Sequence, residues 1–257
     1  MTDRPDPPTA SDWRRCMPKG HKLQPSHRRH VFRYRDYVVK LALEADEPDY
    51  MGQLHDVQRT ALADENEVQS HTLLKRHTTI PIPEIIDAGP GFTVMKYIEG
   101  VDLETAWSRL HLNQLNHIKL ELQGYIRQLC QIPNPFPEYA VCSLCSTHEL
   151  LRYERSALNT FTGPFKTTED YRNNVKRLFD REPRFPPHAK PVFDHMDWYQ
   201  CNIILTPNLD SIAGIIDWEY AGFIPDPKDM HIADIPIEEW NFPEWAYIFD
   251  GIDQPTW

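Results

Sequence analysis

The sequence predicts an α+β protein of two lobes, a small antiparallel-sheet lobe followed by a larger, mainly helical lobe. Two stretches in the first hundred residues resemble β-hairpins, because short runs of strand-forming residues flank turn residues. Beyond Glu99-Gly100, apolar residues recur at helical spacing instead. We therefore predict a first lobe over residues 26–98 and a second lobe over residues 99–257, preceded by a flexible, Pro-rich arm over residues 1–25.

Composition limits the classes of partner and location. The 257 residues include 27 basic and 38 acidic side chains, a formal net charge of −11, which disfavours nucleic acid because phosphate neutralisation needs clustered cations. The apolar stretches are far shorter than the roughly 20 residues of a membrane-spanning helix. The amino terminus lacks the apolar core of a secretory signal, and five cysteines fit reduced thiols. We expect a cytoplasmic protein without a membrane partner, and its oligomeric state stays open.

The first lobe is predicted as two hairpins with a helix between them. Residues 30–35 and 37–43 form the first hairpin, and residues 84–88 and 92–98 form the second. The intervening helix is predicted over residues 63–77, because an acidic residue lies near its start and a proline limits its end.

Lys40 is the feature of this lobe that points to chemistry. It is a lone cation inside an apolar strand, and such a group needs a partner. Glu65 and Glu67, in the first turns of the predicted helix, both qualify.

The second lobe is predicted to contain three helices. The first spans residues 103–110, and the second starts after Asn113 as its cap and carries an apolar face up to Leu129. The third spans residues 167–179, with Thr167 and Asp170 at the spacing of a capping box.

The stretch from Asp194 to Glu219 is the most informative. Residues 202–205 and 212–216 read as two short strands joined by a strong turn signal. An antiparallel hairpin brings Asn202 and Asp217 together at its open end, and Asp197 lies on the loop that enters this end. A few hard oxygen ligands suit Mg²⁺, which shares its remaining positions with water and substrate phosphates.

His195-x-Asp197-x-x-x-x-Asn202, followed by a hairpin that ends in Asp217, resembles the aminoglycoside phosphotransferase and choline kinase branch of the protein-kinase-like fold. Three further features match in order. They are the lysine strand at Val39-Lys40, the helix glutamate at Glu67 and the hinge strand at Met95-Lys96-Tyr97-Ile98. Residues 161–166, followed by a helix, are typical of fungal-type members.

The resemblance implies a small-molecule kinase that binds ATP between its lobes. The adenine would hydrogen-bond to the hinge backbone at Met95–Ile98, and Lys40, oriented by Glu67, would hold the α- and β-phosphates. An ion pair of purely structural function, or Glu65 as the true partner of Lys40, remains the alternative.

The resemblance also implies the roles at the reaction centre. Asp197 would orient the acceptor hydroxyl and accept its proton, and Asn202 and Asp217 would hold Mg²⁺. His195 is expected to shape the loop by hydrogen bonding, and Cys201 to pack away from the site.

Two departures from the family pattern favour a second hypothesis, a pseudokinase that binds nucleotide or serves as a scaffold without turnover. Residues 27–33, where related families cover the phosphates with a glycine loop, contain no glycine. Arg28, Arg29 or Arg33 is a candidate to contact phosphate there instead. The segment after Asp217 is also short for an acceptor-binding region.

The acceptor is predicted only as a hydroxylated small molecule. From Asp217 to the last residue there are ten acidic residues and one base, Lys228, which would attract a cationic acceptor. A solvated acidic face is the favoured explanation, and attraction of a cationic acceptor is the alternative. Trp240 and Trp245 either stack on the substrate or pack on the core.

Cys142 and Cys145, with His148, form the one other candidate metal motif. Zinc usually takes four ligands, and no second CxxC or paired histidine follows at suitable spacing. A plain loop is therefore the favoured interpretation.

Overall fold

The computed structural model describes residues 10–25, 29–49, 52, 54, 56–151, 163–179, 183 and 185–225. Its first lobe is built on a five-stranded sheet in which every neighbouring pair is antiparallel, in the order β1-β2-β3-β5-β4. The strands are β1 (His21–Pro25), β2 (Arg29–Tyr34), β3 (Tyr37–Ala42), β4 (Ile85–Gly89) and β5 (Phe92–Lys96). Both predicted hairpins are therefore confirmed, with ends shifted by one or two residues.

The structure differs from the predicted flexible arm over residues 10–25. This segment forms α1 (Ala10–Cys16), a 3-10 helix (Met17–Lys19) and β1 at the sheet edge. Trp13 packs beside the apolar cluster around Phe32 and donates a 3.3 Å hydrogen bond to Asp87. These contacts are with residues distant in sequence, so the spacing of the prolines could not predict them.

The long helix of the first lobe is α2 (Val57–His77). It begins six residues before the predicted start at residue 63, because the Asp56 side chain caps it by accepting a 3.1 Å hydrogen bond from the Arg59 N–H. The helix is buried between the sheet and the second lobe, and one of its buried faces is polar. That face includes Thr60, Asp64, Asn66, Glu67, Ser70 and His71.

In its described part, the second lobe combines three α-helices with two small sheets. The helices are α3 (Leu103–Ala106), α4 (Leu112–Leu129) and α5 (Thr168–Phe179). The strands are β6 (Val101–Asp102), β7 (Cys142–Ser143), β8 (Pro191–Asp194), β9 (Ile203–Leu205), β10 (Ile212–Ile215) and β11 (Gly222–Pro225). They form three-stranded sheets in the orders β10-β9-β6 and β7-β11-β8.

The three predicted helices are present, with differences at two of them. The segment after α3 continues as a 3-10 helix (Trp107–Arg109), and His111, not Asn113, caps α4. The capping box of α5 is confirmed, since Thr167 and Asp170 exchange hydrogen bonds. None of the described helices is long and apolar enough to cross a membrane.

The hinge between the lobes lies directly on the β9–β10 hairpin. A Cβ at Gly100 would stand 2.0 Å from the Leu205 carbonyl oxygen, and one at Gly214 would stand 2.2 Å from Cδ1 of Ile98. Gly100 thus lets the backbone of the hinge approach the hairpin that carries Asn202 and Asp217, and Gly214 leaves room for the Ile98 side chain. The packing thus sets the spacing between the hinge and the candidate site.

Candidate active site

A buried ammonium group joins three elements of the fold. Nζ of Lys40, on β3, lies 2.8 Å and 3.0 Å from the two carboxylate oxygens of Glu67, on α2. It also lies 2.6 Å from Oδ1 of Asp217, which follows β10. Glu65 instead accepts a 2.8 Å hydrogen bond from Ser146, so Glu67 is the partner of Lys40.

The electrostatics keep this lysine charged. Burial acts to lower the pKa of Lys40, but the nearby carboxylates of Asp217 and Glu67 outweigh it and raise the pKa well above its usual value. The ammonium donates to three oxygens, which matches its three N–H groups.

The loop after β8 is shaped by a histidine whose two ring nitrogens have different partners. His195 Nε2 lies 2.9 Å from the Ile216 carbonyl oxygen, to which it donates, and Nδ1 accepts a 3.2 Å hydrogen bond from the Asp197 N–H. Burial lowers the pKa of His195 to about 4, so the ring is neutral. The expected structural function of His195 is confirmed.

Asn202 fixes the side chain of Asp197. Its Nδ2 donates to the Asp197 carbonyl oxygen at 2.9 Å and to Oδ2 of the carboxyl group at 3.1 Å. Burial, followed by the charges of Asp217 and Glu219, raises the pKa of Asp197 to about 8. A cation in the cleft would act in the opposite direction, because it stabilises the carboxylate.

Asn202 and Asp217 each present an oxygen that suits a hard cation. The side-chain nitrogen of Asn202 donates to Asp197. Oδ1 of Asn202 contacts the thiol of Cys201, 3.8 Å away. Asp217 has a left-handed backbone (φ 68°) and a side chain that is 31% exposed, and its Oδ2 accepts no hydrogen bond from the described residues. An amide and a carboxylate oxygen fit Mg²⁺ that completes its shell with water and phosphate.

The Cys201 side chain and the number of protein ligands for a metal both bear on this site. Cys201 faces Asn202 rather than packing away, but burial raises the pKa of its thiol to about 12, so it is a neutral neighbour. Among the described residues, no group of three or more histidines, cysteines or acids is arranged to hold a metal. A cation at Asn202 and Asp217 would thus depend on oxygens from outside the protein.

A second buried ion cluster, which the sequence did not predict, lies beside the first. Arg29 on β2 pairs with Asp64 and, at 2.8 Å, with Glu219, and Thr93 donates to Asp64 at 3.2 Å. Burial acts to lower the pKa of Arg29, but the charges of Glu219 and Asp64 outweigh this effect and raise the pKa above its usual value. Burial also raises the pKa of Asp64 to about 6.

Two of the three arginines proposed for phosphate contact have other partners. Arg29 is only 5% exposed and is held by two carboxylates, so that interpretation is wrong for this residue. Arg33 stacks on the Tyr97 ring, 3.6 Å from its centroid. Arg28 lies outside the described residues.

The hinge offers one backbone donor to a ligand. Tyr97 N–H donates to the Asp36 carbonyl and Lys96 N–H to the Glu84 carbonyl, each at 2.8 Å, while Met95 lies within β5, paired with β3 and β4. The Ile98 N–H has no acceptor among the described residues. Of the four hinge residues, Ile98 is the one that could donate to an adenine.

The cysteine motif of the second lobe is structural. Burial raises the pKa of Cys142 to about 12, Cys145 lies 3.0 Å from the Ser143 hydroxyl, and the His148 ring packs 4.1 Å from that of Phe136.

Of the ten acids from Asp217 onward, eight lie beyond the described residues, as do Trp240 and Trp245. The cationic acceptor therefore stays a prediction.

The chain is similar to a known enzyme family and to several solved structures. Residues 27–225 match the phosphotransferase enzyme family, APH. Among solved structures, the gentamicin complex of APH(2″)-IIa is 15% identical with a TM-score of 0.54, covering 89% of this chain and 74% of that one. ADP-bound APH(2″)-Ib is 17% identical with a TM-score of 0.54, covering 81% and 68%. The GDP complex of aminoglycoside 2′-phosphotransferase-IIIa is 14% identical with a TM-score of 0.52, covering 89% and 79%.

These structural likenesses confirm the protein-kinase-like fold. At such low identities they carry the fold alone. No curated protein matches the chain significantly.

Proposed function

The chain belongs to the phosphotransferase enzyme family. We propose that it uses ATP and Mg²⁺, and that it transfers the γ-phosphate of ATP to a hydroxyl group of a small molecule. The observation that carries this proposal is the triple contact of Lys40 with Glu67 and Asp217. It joins a strand, a helix and a loop from opposite lobes, and Lys40 and Asp217 are 177 positions apart. A cation oriented in this way between two lobes is suited to a polyphosphate.

The nucleotide would bind by exchanging acceptors at Lys40. A phosphate oxygen would replace Oδ1 of Asp217, while Glu67 keeps the ammonium in place. Asp217, once released from Lys40, would hold Mg²⁺ together with Asn202. Bound Mg²⁺ offsets the negative charge of the phosphates. The adenine would accept from the free Ile98 N–H.

Asp197 would act on the acceptor. Its carboxylate, held by Asn202, would orient the hydroxyl and take its proton as the oxygen attacks the γ-phosphorus and ADP leaves. No phosphoenzyme is required. Most of the acceleration would come from positioning and charge neutralisation.

A screen of ATP consumption against a library of hydroxylated metabolites tests this function. Asp197→Asn should lower kcat by about 100-fold or more, because it removes a proton acceptor, and leave ATP binding intact. Asp210→Asn, in the exposed turn between β9 and β10, is the matched control and should retain turnover. Normal turnover by Asp197→Asn would show that the role of Asp197 is wrong.

The pseudokinase hypothesis keeps one specific observation in its favour. The stretch over residues 27–33 has no glycine, and its Arg29 is occupied by Asp64 and Glu219. Binding of ATP without turnover of any acceptor would support it. The presence of Lys40, Asn202 and Asp217 in one site favours the enzyme instead.

We extend the proposal to the location and the acceptor. All five cysteines are free thiols, which supports a cytoplasmic location. The acidic carboxyl-terminal segment supports a cationic acceptor, whose capture should weaken as salt is added. Capture that is insensitive to salt would argue against this steering.

A further inference from the structure

Asn66 ties α2 to the second lobe by four hydrogen bonds. Its Nδ2 donates to the carbonyl oxygens of Glu219, at 2.9 Å, and Ala221, at 2.8 Å. Its Oδ1 accepts from the N–H groups of Leu144, at 2.7 Å, and Cys145, at 3.1 Å. The side chain is fully buried, so water does not compete for these bonds.

These four bonds use the complete hydrogen-bonding capacity of an asparagine side chain. The amide has two N–H donors, and its oxygen has two lone pairs. All four partners are backbone groups of the second lobe, from a segment after β7 and from the segment between Asp217 and β11. A buried polar group so satisfied specifies one position of the helix relative to that lobe.

Asn66 directly precedes Glu67 in the same helical turn. Glu67 reaches toward β3 and Lys40, whereas Asn66 reaches into the second lobe. Since a helix is stiff over a few residues, fixing one of these residues restricts the other. Asp64, on the same helix, adds a second link through Arg29 to Glu219.

We propose that Asn66 is a positioning residue that holds α2, and with it the Glu67 carboxylate, in the place where Lys40 is oriented for the phosphates. The inference rests on the proposed nucleotide site and adds a residue to it. The four hydrogen bonds of Asn66 fix α2 to the second lobe, and the same helix turn carries the carboxylate that contacts Lys40.

A double-mutant cycle on nucleotide affinity tests this inference, because Asn66 is proposed to act through Glu67. The affinity for ATP with Mg²⁺ is measured by titration calorimetry for the wild type, Asn66→Ala, Glu67→Gln and the double variant. Asn66→Ala should weaken binding by about tenfold, since it leaves buried backbone groups unpaired and frees the helix. In the Glu67→Gln background the same change should have an effect of about twofold or less.

One control variant and a stability measurement separate positioning from general stability. Ser146→Ala removes an exposed contact to Glu65 between α2 and the same segment of the second lobe, and it should leave the affinity unchanged. Thermal unfolding is recorded for every variant. If Asn66→Ala does not fold, Asn66→Ser, which keeps one donor and one acceptor, replaces it in the cycle.

The outcomes distinguish the two claims. Equal losses in both backgrounds would overturn the positioning function, because Asn66 would then act independently of Glu67. An Asn66 variant that binds as the wild type does would overturn it too. A wild-type protein that binds no ATP with Mg²⁺ would overturn the proposed function, and this inference with it.

Discussion

At the scale of single residues, Lys40 is the centre of the site. Its ammonium is surrounded by acceptors, and its chief partner, Glu67, is completely buried. A buried ion pair contributes less than its Coulomb energy suggests, because both groups lose water. Removing one member is nevertheless costly, since the remaining charge is left unpaired.

We therefore predict unequal losses of stability when two lysines of the first lobe are replaced. Lys40→Met should lower the free energy of unfolding by about 3–5 kcal/mol, because it leaves Glu67 without a counter-ion. Lys96→Met removes an exposed 2.6 Å pair with Glu84 and should barely shift the midpoint. Urea unfolding measures both. Equal, small effects would indicate that the Lys40 site is hydrated.

The buried ring of His71 should make the stability of the fold depend on pH. Its Nδ1 donates to the Pro83 carbonyl at 3.1 Å, and burial lowers its pKa from 6.5 to about 4, with the charges of Glu67, Lys40 and Lys75 nearby. Between these values the unfolded state binds more protons than the folded state, so stability falls as the pH drops.

Replacing His71 should remove this contribution. Urea unfolding of wild type and His71→Gln at several pH values should show the wild type losing stability relative to the variant between pH 6.5 and pH 4. His77→Gln, an exposed change on the same helix, is the control. A constant difference between wild type and His71→Gln would contradict the assignment.

At the scale of elements, the close approach of the hinge to β9 depends on glycine. Gly100→Ala would place a methyl group 2.0 Å from the Leu205 carbonyl, which forces backbone to move. We expect a loss of about 2 kcal/mol or more from this overpacking. Gly124→Ala, on α4, meets nothing within 4 Å and should stabilise by about 0.5–1 kcal/mol.

Thermal unfolding of the two variants provides the comparison. The same chemical change should move the midpoint in opposite directions. If Gly100→Ala were neutral, the hinge would not be held against the hairpin as the structure has it.

At the scale of the whole molecule, the sequence predicts the elements and the core of the site. Strand runs and turn residues identify both hairpins, and helical spacing identifies the helices of the second lobe. The predicted hairpin groups Asp197, Asn202 and Asp217, and the resemblance to the phosphotransferase family adds Lys40 to this candidate site. The sequence predicts the start of α2 six residues too late, because the buried face of this helix is polar and the periodicity of apolar residues does not reveal it.

The contacts between lobes were beyond prediction for a physical reason. Arg29, Asp64 and Glu219 meet through folding, and nothing in the local sequence pairs them. Asn66 acts on backbone groups, which every residue possesses. The sequence does carry one signal that α2 makes polar contacts. It is the run of polar residues at positions 60, 64, 67 and 71, where a helix that faces a core would ordinarily be apolar.

The central claim is that one cleft binds ATP through Lys40 and a metal held by Asn202 and Asp217. The most direct measurement is the thermal midpoint of the wild type with ATP, with and without Mg²⁺. At 100 times Kd, binding adds about 2.7 kcal/mol, so we expect a rise of roughly 5–10 °C that requires Mg²⁺. No rise, or one that is equal without Mg²⁺, would contradict the account.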